Sequence, residues 1–362
     1  MKVALVCDWL TNVGGAEKVL LEFHKLFPDA PIYTSKYNKK GIDWFNDATV
    51  KTGWLKIFPS CLRRFIGPLR QAYFNHLDLS NYDLIISVTG AEAKSVKKGK
   101  ATHICYCHVP TQYYWGMYDD YVKNPGFGIL NPIVRFFFKL FVKPLRKADL
   151  KASKKPDYFI TISEHAKAQI KKYYNRDAVV IHPNVEVEDF KTVEEPEDYF
   201  ITTSRQVNWK RLDLAVAACE KLNKKLLVIG EGPEHEKLVN LAKDSKNIKF
   251  LPLMKKQELK KYLSHAKGYI FPSLEPFGIA PVEALAAGCP VIAFKKGGAL
   301  DYIKENENGI LFEKQTVDSL ANAIEKFETM KFNRKKVSDS ADEFSTKRFD
   351  KEVMEFINEK TL

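Results

Sequence analysis

Residues 271–289 read FPSLEPFGIAPVEALAAGC. An apolar run ends at Phe271, a loop follows with Pro272, Pro276 and Gly278, and a helical pattern opens near Pro281. Proline lacks an N–H and suits the first helical position. The backbone N–H groups around Phe277 to Ala280 are then free to receive an anion at the positive end of a helix. Gly278 lets the backbone come close to such a ligand. Glu275 lies in the loop, and Glu283 falls in the first turn of the expected helix. Carboxylates so placed suit sugar and ribose hydroxyls, although Glu283 could equally complement the helix dipole. A strand handing over to a ligand-holding loop and then a helix is the working unit of an open parallel α/β sheet.

The same rhythm runs outward in both directions. Strands are expected at 198–203, 225–230, 248–251, 268–271, 290–294 and 309–312, with helices at 211–223, 233–244, 255–265, 281–287 and 316–330 between them. The first half carries expected strands at 2–7, 31–34, 83–88, 102–107, 157–162 and 178–181, and a helix at 16–27. Alternating strands and helices indicate parallel sheets. The segment 182–198, HPNVEVEDFKTVEEPED, is acidic with two prolines and reads as a linker. A length of 362 residues suits about two domains. The expectation is two Rossmann-like domains, 1–185 and 186–343, with an amphipathic helix over 344–359.

Three further groups of residues stand where strands end. Arg205 and Lys210, in SRQVNWKR at 204–211, follow the strand 198–203 and are placed to clamp phosphates. Gly14-Gly15-Ala16-Glu17 follows the first strand; it is not GxGxxG, so it supports no dinucleotide fingerprint, but it allows close backbone approach. His108 ends the strand 102–107 and precedes VPTQYYWGMYDDY, whose aromatic side chains are either core or a platform for sugar rings. No Asp-x-Asp, HExxH or Ser-His-Asp pattern occurs. A leaving diphosphate would therefore be met by Arg205, Lys210 and a helix N-terminus rather than by a metal held on paired carboxylates.

The net charge of +12 is unevenly spread. Residues 1–185 hold 28 Lys and Arg against 15 Asp and Glu, whereas residues 186–362 hold 29 against 30. The excess in the first half should face something anionic. Two stretches concentrate it: 54–74, WLKIFPSCLRRFIGPLRQAYF, and 133–147, IVRFFFKLFVKPLRK. In the second, Arg135, Lys139, Lys143 and Lys147 recur every four residues as one helical stripe, and Phe137, Phe138, Phe141, Val142 and Leu145 fill much of the rest. That is the make-up of a helix lying in a membrane interface, with Pro144 expected to kink or end it. No apolar run reaches the roughly 18 residues of a membrane span. With no export signal at the start, the expected location is cytoplasmic. The six cysteines, at 7, 61, 105, 107, 219 and 289, read as reduced core thiols.

Taken together, GGAEKVL at 14–20, CYCHVPTQYYW at 105–115, SRQVNWKRLDLAV, the GEGPE turn at 230–234 and EPFGIAPVEALAAGCPVIA resemble glycosyltransferase family 4, over almost the whole chain. The family has the GT-B fold, two Rossmann-like domains facing across a central cleft, and transfers sugars with retention and without metal. Within it, CDWLTNVGGAEKVL and CHVPTQYYW are similar to the mannosyltransferases of bacterial surface-polysaccharide assembly. The resemblance implies roles. Gly14 and Gly15 would meet donor phosphate; His108 would sit beside the donor sugar; Arg205 and Lys210 would neutralise the diphosphate. Glu275 would bind sugar hydroxyls, Glu283 the ribose, and Phe277, Gly278 and Ile279 would present N–H groups. The tail 344–362 would pack back on the first domain. The implied reaction moves a hexose, mannose from GDP-mannose, to a lipid-linked or glycan acceptor, with no cofactor and no metal. The implied place is the inner face of the plasma membrane, docked through 54–74 and 133–147. A UDP-sugar donor and, from another class, a basic nucleic-acid-binding protein are the alternatives.

Overall fold

A computed structural model describes residues 1–58, 66–123, 125 and 128–361. The basic stretch 54–74 is thus seen only in part, and Cys61 lies outside the described residues. The chain divides into two compact units, Met1–His182 with Asp350–Leu362, and Pro183–Phe349.

The first unit is a parallel sheet of seven strands: β1 (Val3–Cys7), β2 (Ile32–Thr34), β3 (Val50–Thr52), β4 (Leu84–Thr89), β5 (Thr102–Cys107), β6 (Tyr158–Thr161) and β7 (Val179–Val180), in the order β3-β2-β1-β4-β5-β6-β7. Its helices are α1 (Gly15–Leu26), α2 (Gly67–His76), α3 (Tyr118–Lys123), α4 (Asn131–Ala152) and α5 (Glu164–Tyr174). β4 and β5 are buried almost end to end because both faces of a central parallel strand are covered. β3 escapes sequence reading: it is three residues at the sheet edge, with Lys51 exposed.

The second unit has six parallel strands: β8 (Phe200–Thr203), β9 (Leu226–Ile229), β10 (Ile248–Leu251), β11 (Gly268–Phe271), β12 (Val291–Phe294) and β13 (Gly309–Phe312), in the order β10-β9-β8-β11-β12-β13. α6 (Leu212–Lys221), α7 (His235–Leu241), α8 (Lys256–His265), α9 (Ile279–Ala286), α10 (Ala299–Tyr302), α11 (Val317–Glu328) and α12 (Arg334–Asp339) cover it. Ile270, Ile292, Ala215, Cys219, Leu320 and Ile324 share one core between the sheet and α6 and α11. Each sheet reverses its strand order once, between β1 and β4 and between β8 and β11. Ligands bind beyond the carboxyl ends of strands at such points.

Three local readings are corrected. Pro144 does not end α4, which continues to Ala152. The carbonyl freed four residues earlier, at Leu140, lies on an exposed stretch of helix where water can serve it. α9 opens at Ile279, two residues before the expected Pro281, because Gly278 at φ 92° makes the turn. Pro281 then occupies the third position, where an N–H would have no intrahelical acceptor. Glu283 consequently lies beyond the first turn. The acidic stretch 182–198 is laid onto the second unit rather than left free. Val185 N bonds to Phe344 O at 2.8 Å, Lys260 pairs with Asp189 at 2.7 Å, and Lys256 pairs with Glu186.

The last helix, α13 (Thr346–Thr361), begins in the second unit and its residues from Asp350 belong to the first. Phe349, Val353, Phe356 and Ile357 form its buried stripe. Asp350 Oδ1 is buried without a hydrogen bond among the described residues. Burial and then Glu22 push this carboxyl up to about 6, with Lys25 opposing. A raised carboxyl destabilises only while charged, so its penalty is absent below the unfolded value of about 4 and fully present above the folded one. Asp350→Asn is expected to raise the thermal midpoint near pH 8 more than near pH 4. An equal gain at both would contradict that reading.

The five described cysteines are free and buried, and burial pushes the thiols of Cys219 and Cys289 up to about 12.

Candidate functional site

In the second unit the carboxyl ends of β8 and β11 lie side by side, since the two strands pair directly. The loop after β8 ends in a helical turn over Asn208–Lys210, and the loop after β11 runs to Gly278. Between them Lys210 Nζ meets Glu275 Oε1 at 2.5 Å, and Ser273 Oγ donates to the same oxygen at 2.8 Å. Both charged side chains keep about a fifth of their surface in water, 21% and 20%. This is a pair that an incoming polar ligand can reach.

The loop bearing Glu275 is held from three sides. Gln315 Nε2 donates to Pro272 O at 2.7 Å, Gly298 N to Glu275 O at 2.8 Å, and the Tyr302 hydroxyl to Phe277 O at 3.0 Å. Phe277 packs its ring against Tyr302 and Phe344. Gly298 is required here: a Cβ at that position would overlap Cα of Phe277 and the carbonyl of Pro276. Gly278 is required by its φ of 92° and by Phe271 Cζ, 2.7 Å from where a Cβ would stand. At Gly278 and Ile279 the backbone opens α9, whose first N–H groups lack intrahelical acceptors.

Beneath the loops, the Tyr269 hydroxyl contacts Thr203 and donates to its carbonyl at 3.0 Å. Burial and the nearby Glu275 and Glu283 hold this phenol well above its usual range, although its bonds to Thr203 oppose them. Both carboxylates are therefore within electrostatic reach of one tyrosine. The loop after β8 is fixed by Gln206, which donates to Gly230 O at 2.6 Å and faces His235 Nδ1 at 2.8 Å. The GEGPE turn is thus a brace for the 204–211 loop. Arg205 projects into solvent, with no side-chain hydrogen bond or ion pair among the described residues. The structure brings Lys210, Glu275, Glu283, Phe277, Gly278 and Ile279 to one end of one sheet, and records no contact of Arg205 with them.

The first unit holds the remaining candidates. Gly14 caps α1 and Gly15 starts it, beyond β1. His108 follows β5, its N–H bonding to Thr89 O at 2.9 Å. Its Nε2 is buried with no hydrogen bond among the described residues. Burial pushes the imidazole down to about 4, so it is neutral at physiological pH and offers an unoccupied ring nitrogen. Asp8, at the end of β1, accepts from Thr89 Oγ1 at 2.8 Å, Gly90 N at 3.0 Å and Ala93 N at 2.8 Å. It locks the loop after β4 at the reversal of the first sheet.

The aromatic run after His108 proves to be framework at its polar ends. Tyr113 donates to Glu92 at 3.0 Å, and Arg70 pairs with Glu92 at 3.0 Å. Trp115 Nε1 donates to Asp149 at 2.7 Å, and Lys94 pairs with Asp149 at 2.6 Å. Sequence reasoning missed these two buried ion pairs, because their partners lie 22 and 55 positions apart with no local pattern. It also missed Gly298, Tyr302, Gln315 and Gln206; the glycine pair in KKGGAL was the one available signal. Among the described residues no cluster of three or more His, Cys, Asp and Glu side chains is arranged to hold a metal ion.

Residues 184–344 match the family described as Glycosyl transferases group 1. The uncharacterized glycosyltransferase MJ1607 of Methanocaldococcus jannaschii is 30% identical over 142 residues, covering 37% of this chain and 36% of that protein. The O-antigen chain mannosyltransferase RfbU of Salmonella typhimurium is 27% identical over 215 residues, 53% of this chain and 59% of that one. A GDP-mannose-dependent alpha-(1-6)-phosphatidylinositol monomannoside mannosyltransferase of Mycobacterium tuberculosis is 30% identical over 140 residues, 34% and 36%. The chain spans between 30% and 58% of the length of three curated glycosyltransferases it matches, MJ1607 among them. Among solved structures, the lipopolysaccharide outer core galactosyltransferase WaaB covers 99% of this chain with a TM-score of 0.72 at 17% identity, all of that chain being matched. Anabaena HepE with UDP-glucose gives 0.71 at 17% identity, with coverage of 99% and 100%. At that identity the likeness is one of fold: the chain has the α/β architecture of the GT-B glycosyltransferases.

Proposed function

We propose that this chain is a retaining glycosyltransferase that moves a hexose from a nucleoside diphosphate sugar, GDP-mannose, to a lipid-linked or glycan acceptor in surface-polysaccharide assembly. One observation carries the reading. A lysine and a carboxylate meet at the strand-order reversal of the second sheet, beside the N-terminus of α9. A cation and a helix N-terminus suit a diphosphate, and a carboxylate suits sugar hydroxyls. The family match over 184–344 and the names of the mannosyltransferase relatives support it.

In this reading Glu275 orients the sugar, Glu283 takes the ribose, and Gly278 and Ile279 present N–H groups to phosphate. Lys210 turns from Glu275 to the leaving diphosphate, with Arg205 closing on it, so that protein groups rather than a bound metal meet the developing charge. Within the first unit, His108, neutral, keeps Nε2 as an acceptor, and Gly14 and Gly15 leave the start of α1 open to a phosphate. The basic first unit faces the acceptor and the anionic inner face of the plasma membrane.

A UDP-sugar donor is the alternative; HepE, of like fold, is known in complex with UDP-glucose. Thermal stabilisation by GDP, UDP and ADP, first with chelator and then with Mg²⁺, separates the readings. Selective, metal-independent stabilisation by GDP is expected. Preference for UDP would move the donor to the alternative, and no shift with any nucleotide would remove the glycosyltransferase reading.

A further inference from the structure

Helix α4 turns its apolar side outward. Ile133, Phe136, Phe137, Leu140 and Phe141 are each between 51% and 65% exposed. Their spacing places them on one arc, the arc that a helix of a globular protein normally gives to the core. The inner side is instead made by Val142, Asp149 and Ala152. Of the apolar side chains read from the sequence, Phe137 and Phe141 lie on this arc, whereas Val142 is buried and Phe138 packs on Tyr118. Lys139, Lys143, Lys147 and Lys151 are exposed at every fourth position, and none has an ion pair among the described residues.

A second exposed apolar group lies at Trp54, Ile57 and Leu69. Tyr114 lies near both α4 and the start of α2. Its carbonyl accepts from Arg146 of α4 at 2.7 Å, and its hydroxyl stands 3.3 Å from where a Cβ on Gly67, the start of α2, would be. The adjacent Tyr113 bonds to Glu92 in the loop after β4, at the order reversal of the first sheet.

We propose that α4 lies in the interface of an anionic bilayer, its Ile133–Phe141 arc in the acyl boundary and its lysines on lipid phosphates, and that the acceptor is lipid-borne. The docking stands on these residues alone; the acceptor class rests on the glycosyl-transfer reading. Charge complementarity chooses the occupant. An apolar arc flanked by unpaired lysines fits headgroup phosphates above acyl chains. A second copy would set two cationic rows against each other, and nucleic acid has no use for five exposed apolar side chains. The helix cannot span, since Arg135, Lys139, Lys143, Arg146, Lys147, Asp149 and Lys151 interrupt it.

The test is flotation with vesicles of phosphatidylcholine alone or mixed equally with phosphatidylglycerol, at low and high salt. The wild type is compared with Phe137→Ser/Leu140→Ser, whose exposed sites leave folding intact, as the thermal midpoint verifies. The expected result is binding to the anionic vesicles only, with a fraction that survives high salt, and a drop of at least about tenfold in the double variant. Binding that is wholly reversed by salt and equal in the variant, or no binding, overturns the docking. A concentration-dependent dimer lost in the variant assigns the arc to a second copy and overturns it too. Stabilisation by GDP, UDP and ADP is measured on the same samples: its absence with all three sinks the enzymatic reading, whereas its presence without vesicle binding sinks only this one. With both present, sugar incorporated into an organic-extractable product supports the lipid-borne acceptor, and incorporation into water-soluble glycan alone overturns that part.

Discussion

Glu275→Gln and Lys210→Ala are each expected to lower sugar transfer by about 10²–10³-fold while the thermal midpoint of the second unit holds. The two groups sit at strand ends with their heads partly in water, so neither supports a core. Removing one leaves the other in contact with solvent rather than stranded. Each side chain acts on a different part of the proposed donor, one on sugar hydroxyls and one on the diphosphate. In the proposed reading the donor replaces their mutual ion pair. The double variant should therefore lose less than the product of the single losses if ion-pair exchange is part of donor binding. Steady-state rates on the three variants check this. Near-normal turnover by either folded single variant would remove the pair from the mechanism.

Asp149→Ala is expected to cost the first unit about 3–5 kcal/mol, because it leaves Lys94 charged and buried. Lys94 and Asp149 are each 1% exposed. Asp149 also accepts from Thr111 Oγ1 at 3.0 Å and from the Tyr174 hydroxyl at 2.8 Å, so four groups lose their partner at once. Burial opposes the Lys94 charge, and Asp149 more than restores it, holding the ammonium well above its ordinary value. Lys94→Met/Asp149→Asn removes both charges and keeps a polar group for the hydroxyls, so it should recover part of the loss. Denaturant unfolding of the two variants measures it. Loss in the single variant no greater than in the double would contradict a charge-based account. Thr111 and Trp115 belong to the loop that follows His108, so the same variant would loosen the setting of that candidate residue.

Much of this was legible in the residues. The strands of the second sheet are short apolar runs between turn signals, and all six lie where the pattern put them. Parallel strands buried on both faces leave that signature, whereas edge strand β3 does not. The strand-end candidates Lys210 and Glu275 were legible because loop, glycine and helix start adjoin them in sequence. What holds them was not. Tyr302, Gln315 and Gly298 reach Glu275's loop from the next two βα units, and such contacts leave no local period. The residues of 133–147 suggested an interfacial helix, but not which apolar side chains of α4 face outward, because periodicity shows that a helix has two faces and not which one is covered.

The most direct test of the central claim follows labelled sugar from GDP-mannose in the presence of chelator and a lipid-extract acceptor. The account predicts release of GDP with transfer of label to acceptor by the wild type, and loss of both in Glu275→Gln. Label remaining in GDP-mannose with every acceptor fraction and with UDP-sugars equally untouched, or full transfer by Glu275→Gln, would contradict it.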